Sequence, residues 1–218
     1  MCVLYRAVLL ALLVLGSNAE LAAEECENLT TTLQPSDLDK IFGNWVLVGA
    51  VATFPSGNEL VMNVSSSHVE LQLNPDNKTV IYNERNMYLD KSCVTYYSNN
   101  TVVDSAGSSL RLLIDSFFKE KDGAVSVYND SGRVEFYQTC PDCLLMVYSG
   151  DYEGTPGRYL LTYKREGKHQ DAEELKVALG THKKHAECLK FAGDGHFNYD
   201  GVAELRTSNM DAREEDIT

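Results

Sequence analysis

The chain has 218 residues, 44% of them hydrophobic, and a net charge of −13 from 19 Lys and Arg against 32 Asp and Glu. That length fits one domain with a substantial core once an N-terminal leader is set aside. The acidic balance disfavours nucleic acid and anionic membrane surfaces as partners, and does not by itself name a ligand.

Residues 1–19 read as a secretory signal peptide. Arg6 supplies the positive end, Val8 to Leu15 the apolar run, and Ser17-Asn18-Ala19 a small-x-small cleavage site. The run is too short to span a bilayer and no second one follows, so secretion without membrane insertion is expected. Residues 20–192 then form the expected folded domain, and 193–218 a flexible acidic tail ending Glu214-Glu215-Asp216.

Pro35-Ser36-Asp37-Leu38 opens a short helical turn. Next comes Gly43-Asn44-Trp45, which holds the only tryptophan. Glycine allows a tight strand entry there, and an indole two residues on can plug the narrow end of a barrel. Asn44 to Thr53 forms the first expected strand. His68 to Leu73 alternates apolar and polar residues, the mark of a strand with one buried face. Asn74-Pro75-Asp76-Asn77 turns the chain into a strand that starts at Thr79 to Tyr82. Further strands are expected at Val94–Tyr97, Leu110–Ile114, Val125–Tyr128, Arg133–Thr139, Leu144–Tyr148 and Arg158–Lys164. Strands at this spacing, joined by short turns, indicate an antiparallel barrel or sandwich. From Gln170 to Phe191 the period becomes helical: Leu175, Leu179, Ala186 and Leu189 would dock one helix outside the sheet.

Past the leader there are five cysteines: Cys26, Cys93, Cys140, Cys143 and Cys188. The odd number leaves one thiol free or paired between molecules. Cys140 and Cys143 form either a turn disulfide or, through one of them, a bond to Cys93. Five Asn-x-Ser/Thr acceptors, Asn28, Asn63, Asn77, Asn99 and Asn129, point to a glycosylated extracellular protein.

The leader, Gly43-x-Trp45, the strand series and the single late helix together resemble a lipocalin. The resemblance implies an all-β fold, an eight-stranded antiparallel up-and-down barrel with one C-terminal helix packed outside. It falls in the branch of α-1-acid glycoprotein and apolipoprotein M, and is similar to the fish lipocalins that bind saxitoxin, tetrodotoxin or tributyltin. In that branch Cys188 matches the helix cysteine that ties down the amino-terminal segment, which implies a Cys26–Cys188 bond. Cys93 resembles the mid-barrel cysteine, whose usual partner is missing. The family's Thr-Asp-Tyr-type loop matches Gly150-Asp151-Tyr152 only loosely, and its arginine over the motif tryptophan would be Arg165 or Lys164.

An eight-stranded barrel holds one small ligand. Strand alternation offers Val69, Leu71, Leu73, Val80, Tyr82, Tyr96, Phe136, Met146, Tyr148, Tyr159, Leu161 and Tyr163 as lining residues. Leu71, Tyr82, Tyr96, Phe136, Met146, Tyr148, Tyr159 and Leu161 are the expected ligand-binding set. A one-residue register slip would turn any strand inside out. A guanidinium ligand would also need a carboxylate, for which Glu70, Glu84, Glu135 and Asp151 are candidates, though such acids more often face solvent.

His182, His185 and Cys188 have metal-like spacing, yet Lys183 and Lys184 imply a wet face and no complete ligand set is visible, so no metal or cofactor is expected. There is no Gly-x-Ser-x-Gly, phosphate loop or His-Glu-x-x-His motif, so the chain is not read as an enzyme. What the resemblance implies is a secreted carrier of a small hydrophobic or amphiphilic ligand, a lipophilic xenobiotic or toxin such as tributyltin or a tetrodotoxin-like compound. The alternative is an acute-phase immunomodulatory plasma glycoprotein acting through its surface and glycans. The oligomeric state is not encoded in any motif.

Overall fold

The computed structural model describes residues 24–103, 109–128, 130–152, 154–191 and 195–202. The expected leader, Asn129 and residues 203–218 lie outside them. A 3-10 turn at Pro35–Ile41 leads into β1 (Gly43–Ala52), helix α1 (Pro55–Met62), β2 (Val64–Leu73) and β3 (Thr79–Tyr88). Then follow β4 (Cys93–Val103), β5 (Arg111–Lys121), β6 (Ala124–Val127), β7 (Asp130–Tyr137), β8 (Cys143–Tyr152) and β9 (Thr155–Arg165). Helix α2 (Ala172–Cys188) and a two-residue β10 (Phe197–Asn198) complete the chain.

Every neighbouring strand pair is antiparallel, in the order β1-β2-β3-β4-β5-β7-β8-β9, and β9 pairs back onto β1 to close the barrel. The sixth strand position is split. β6 pairs with the later part of β5 (Phe118↔Val127), and β7 with its start (Arg111↔Glu135). The result is the closed eight-stranded barrel with an outer helix that the sequence pattern implies.

Turn chemistry sets the register of the β2–β3 hairpin. Asp76 accepts from the Lys78 and Thr79 amides at 2.8 and 2.9 Å, while Asn77 takes the left-handed conformation at φ 56°. Leu71 then faces Tyr82 across the pair, and both side chains enter the barrel. Outside, Asp171 caps α2 by accepting from the Glu173 and Glu174 amides, both at 3.0 Å. The helix can sit close because Gly49 lies beneath it; a Cβ there would be 2.8 Å from the His182 ring.

The narrow end is closed by the strap that precedes β1. Leu33 donates its amide to the Phe136 carbonyl at 2.9 Å, and Ile41 is fully buried. The Trp45 indole donates to the Ile41 carbonyl at 2.9 Å, and the Arg165 guanidinium lies 4.1 Å from the indole centroid. Arg165 is therefore the arginine over the motif tryptophan. Lys164 instead bonds Glu174 at 2.7 Å.

Four sequence expectations change. Gly150-Asp151-Tyr152 runs into the β8–β9 turn at the other end, where Asp151 accepts from the Gly154 amide. The acid facing Arg165 at the narrow end is Asp142, at 3.6 Å. Between Thr53 and His68, where no element is expected, α1 forms and β2 begins early, at Val64. Pro55 suits a helix start, but Leu60 and Val61 are adjacent and show no period, and the buried Ser66 and Ser67 hide the strand. Part of the expected flexible tail packs onto the barrel: β10 pairs with β1 (Ala50↔Phe197), and Phe197 and Tyr199 are buried. Two apolar rings in a polar stretch are too few for a periodic signal. Finally, His182 and His185 are fully buried, so the α2 face that carries them is dry.

Candidate functional site

The wide half of the barrel encloses a cavity of about 140 Å³, room for one small molecule. All eight residues of the expected ligand-binding set lie on its wall: Leu71 and Tyr82 from β2 and β3, Tyr96 from β4, Phe136 from β7, Met146 and Tyr148 from β8, Tyr159 and Leu161 from β9. Of the other lining candidates, Val69, Val80 and Tyr163 are buried in the core and Leu73 packs against it, without reaching the cavity.

Several wall residues escape the sequence reading. Leu60 and Val61 come from α1, which joins the wide ends of β1 and β2. Phe117 and Tyr128 complete an aromatic trio with Tyr96, their ring centroids 5.2 to 5.7 Å apart. Phe117 enters the barrel because a bulge at Asn99/Asn100 skips one residue of β5. Asn86, Ser98 and Asn100 add a polar stripe on β3 and β4. Simple alternation from an apolar seed picks neither a bulge nor an inward asparagine.

The four candidate carboxylates separate cleanly. Glu70 alternates with inward Leu71 and accepts from Gln72; Glu135 pairs with Arg111; Asp151 closes its own turn. Glu84 alone lines the cavity. Its carboxylate accepts from the Tyr82 hydroxyl at 2.9 Å, the Asn86 amide at 2.9 Å and the Ser67 hydroxyl at 3.4 Å. Burial raises its pKa above the usual carboxylate value, opposed by these three hydrogen bonds. Burial, and then the Glu84 charge, push the Tyr82 hydroxyl well above its normal range. At neutral pH this tyrosine is a donor.

Outside the barrel, Cys26 is bonded to Cys188 and Cys140 to Cys143, while Cys93 is an exposed free thiol. His182 takes part in a 2.8 Å hydrogen bond with the Thr162 hydroxyl. Burial, then the nearby His196, His185 and Lys183, push its pKa down to about 3, so it is neutral. Among the described residues, no group of three His, Cys, Asp or Glu side chains is arranged to hold a metal ion. Nor is any described helix long and apolar enough to cross a membrane. Asn28, Asn63, Asn77 and Asn99 are exposed.

No protein-family model matches the chain. Two curated relatives do: the saxitoxin and tetrodotoxin-binding proteins 1 and 2 of Takifugu pardalis, each 42% identical over 198 residues, 91% of this chain. The chain spans about half the length of these relatives, 48% in each case. Solved structures of the same fold include lipocalin 12 from rat epididymis, with a TM-score of 0.57 at 12% identity over 81% of this chain and 90% of that one. The siderocalin Q83 superimposes with a TM-score of 0.55 at 11% identity, over 79% and 97% of the two chains. A closed eight-stranded barrel, a buried Trp45 under Arg165, an outer helix and these likenesses agree: the chain has the lipocalin fold.

Proposed function

We propose that this protein is a secreted, glycosylated carrier that holds one small hydrophobic or amphiphilic molecule in the wide half of its barrel. The observation that carries this reading is the cavity of about 140 Å³, with a largely apolar and aromatic wall in a barrel closed at its other end. Apolar burial would supply most of the affinity, and tyrosine hydroxyls and one carboxylate the orientation. Leu71, Tyr82, Tyr96, Phe136, Met146, Tyr148, Tyr159 and Leu161 are the proposed contacts. The names of the Takifugu pardalis relatives support a saxitoxin- or tetrodotoxin-like toxin as one ligand class. Tetrodotoxin is therefore the first probe, and tributyltin serves beside it as a lipophilic xenobiotic. The exposed sequons support an extracellular setting.

The test is native mass spectrometry of the secreted, enzymatically deglycosylated protein, alone and with tetrodotoxin, tributyltin or the neutral probe N-phenyl-1-naphthylamine. Saturable one-to-one uptake of any of them, lost when Met146→Arg fills the cavity, supports the carrier. Failure of all three to bind at micromolar concentration would leave the surface-acting glycoprotein as the better account.

A further inference from the structure

The outer face of the barrel over β4, β5 and β6 is apolar where an antiparallel sheet turns polar residues to water. Tyr96, Ser98 and Asn100 point into the cavity, so strand alternation leaves Tyr97, Asn99 and Thr101 on the outside of β4. Tyr97 faces Phe118 of β5, and Phe118 faces Val127 of β6, which makes one apolar row across three strands. Val125 lies in the next row beside Glu120, and Leu113 faces Thr101 on the opposite flank. Leu113, Phe118, Val125 and Val127 are between 36% and 72% exposed. Among the described residues β6 pairs with β5 alone, so its other edge is open. Exposed apolar side chains beside an open strand edge invite association unless something covers them.

Asn99 stands in the middle of this face. Its cross-strand neighbour is the small Ser116, with Tyr97 and Phe118 to one side and Leu113 to the other. Asn99-Asn100-Thr101 is a glycosylation acceptor, and Asn99 is exposed. The Tyr97 ring is held in place, because its hydroxyl donates to Glu120 at 2.6 Å. Residues two apart on a strand are roughly 7 Å apart, so a sugar ring on the Asn99 amide reaches both aromatic side chains. A pyranose turns C–H bonds toward what lies beneath it, and the negative face of an aromatic ring attracts them. The other described acceptors lack this setting. Cys26 precedes Asn28 by two residues and Pro75 precedes Asn77, which sits in a tight turn at φ 56°. For Asn63 that residue is the cavity-lining Val61, and its side-chain N–H is spent on the Glu59 carbonyl at 2.9 Å.

From this arrangement we infer that the N-linked glycan of Asn99 is a structural part of the fold. Its first N-acetylglucosamine packs on Tyr97 and Phe118, covers the apolar outer face of β4 to β6, and keeps a second chain off the β6 edge. In the attachment step Asn99 Nδ2 displaces a lipid diphosphate from the anomeric carbon of the sugar and gives up one proton. The C–H face of the sugar then replaces water over the rings, while its hydroxyls present a polar surface outward. This deepens the glycosylated reading above and rests on it, but not on what the cavity holds.

The experiment uses the full chain secreted from cells that make only high-mannose glycans, so that an endoglycosidase trims every glycan to its first sugar. Peptide mapping should find Asn99 modified in most molecules. Intact and trimmed protein should melt together, because only the first sugar meets the rings. After the same trimming, Asn99→Gln should melt about 3 °C below wild type, and Asn28→Gln within about 1 °C of it. In a Tyr97→Thr/Phe118→Thr background the Asn99→Gln loss should shrink to about 1 °C or less. If that background does not fold, Phe118→Thr alone decides, and the loss should be at least halved. An empty Asn99 in a protein modified elsewhere, or an equal loss in both backgrounds, overturns the inference and leaves the glycosylated carrier standing. So does a wild-type dimer in light scattering that Val127→Lys returns to monomer, since a second copy would then hold the face. If no acceptor carries sugar, the glycosylated reading itself falls.

Discussion

The two ends of the barrel treat buried polar groups in opposite ways. At the narrow end the Trp45 N–H is paired with the Ile41 carbonyl, and Arg165 covers the indole while bonding the Phe42 carbonyl at 3.3 Å and facing Asp142. Its charge is answered and its ring surface filled. In the wide half, the Glu84 carboxylate is held only by neutral donors and its charge is unanswered. Satisfied polar groups around packed rings stabilise, whereas unanswered ones are tolerated where a ligand can complete them. The contrast assigns stability to one end and selectivity to the other.

That division can be broken from the stable side first. The Cys26–Cys188 bond fastens the strap of the narrow end to α2 across 162 residues of sequence, while Cys140–Cys143 closes a separation of only 3. On the loop-entropy account the first is worth about 5 kcal/mol and the second about 2. Denaturant titration of Cys26→Ser/Cys188→Ser and Cys140→Ser/Cys143→Ser should show that ranking. Equal losses would mean that the strap is not what holds the narrow end shut.

Trp45→Ala should cost about 3–5 kcal/mol, because it removes a fully packed ring and leaves Arg165 uncovered. N-phenyl-1-naphthylamine affinity, measured where the variant is still folded, should change less than threefold if the ends are independent. A large loss of affinity would join the two halves into one unit.

A third comparison uses acid. His182 has a folded pKa of about 3, against 6.5 when unfolded, so the native state resists its protonation. The stability this contributes is fully present above pH 6.5 and is lost as the pH falls from there toward 3, a few kcal/mol in all. His185, also pushed down by burial, acts in the same direction. His182→Gln should flatten the dependence of unfolding free energy on pH across that window. An unchanged slope would mean that other groups govern acid unfolding.

Much of this organisation is legible in the sequence. Alternation in 68–73, 79–82, 94–97, 133–139, 144–148 and 158–164 is enough to place all eight expected residues on the cavity wall, because a strand with one inner face shows its register in every second residue. The closed end was readable from Gly43-x-Trp45, but the choice of Arg165 over Lys164 depends on parity through the β1–β9 pairing, with its bulge between Leu47 and Gly49. Glu84 was one of four candidates. Selecting it requires knowing that Arg111 reaches Glu135 across β5 and β7, a contact that spans 24 residues of sequence. Helix α1 and β10 were not readable, since each buries too few apolar residues to show a period and forms only against the finished barrel.

The smallest effect is the sharpest test of the contrast, because its sign is unusual. Burial raises the Glu84 pKa above its unfolded value of about 4.5, so the native state favours the protonated acid. Its titration thus helps folding below pH 4.5, and that help is lost as the pH rises through the folded pKa. At pH 7 the ionised carboxylate costs stability, and Glu84→Gln removes the charge while keeping the shape. The unliganded variant should melt about 2–4 °C higher than wild type at pH 7, equivalent to about 1 kcal/mol, and no higher at pH 4. That gain would mark Glu84 as a carboxylate kept in the cavity wall at the expense of the fold. A variant that melts lower at pH 7 would instead make Glu84, Tyr82, Asn86 and Ser67 a structural network no different in kind from the one around Trp45.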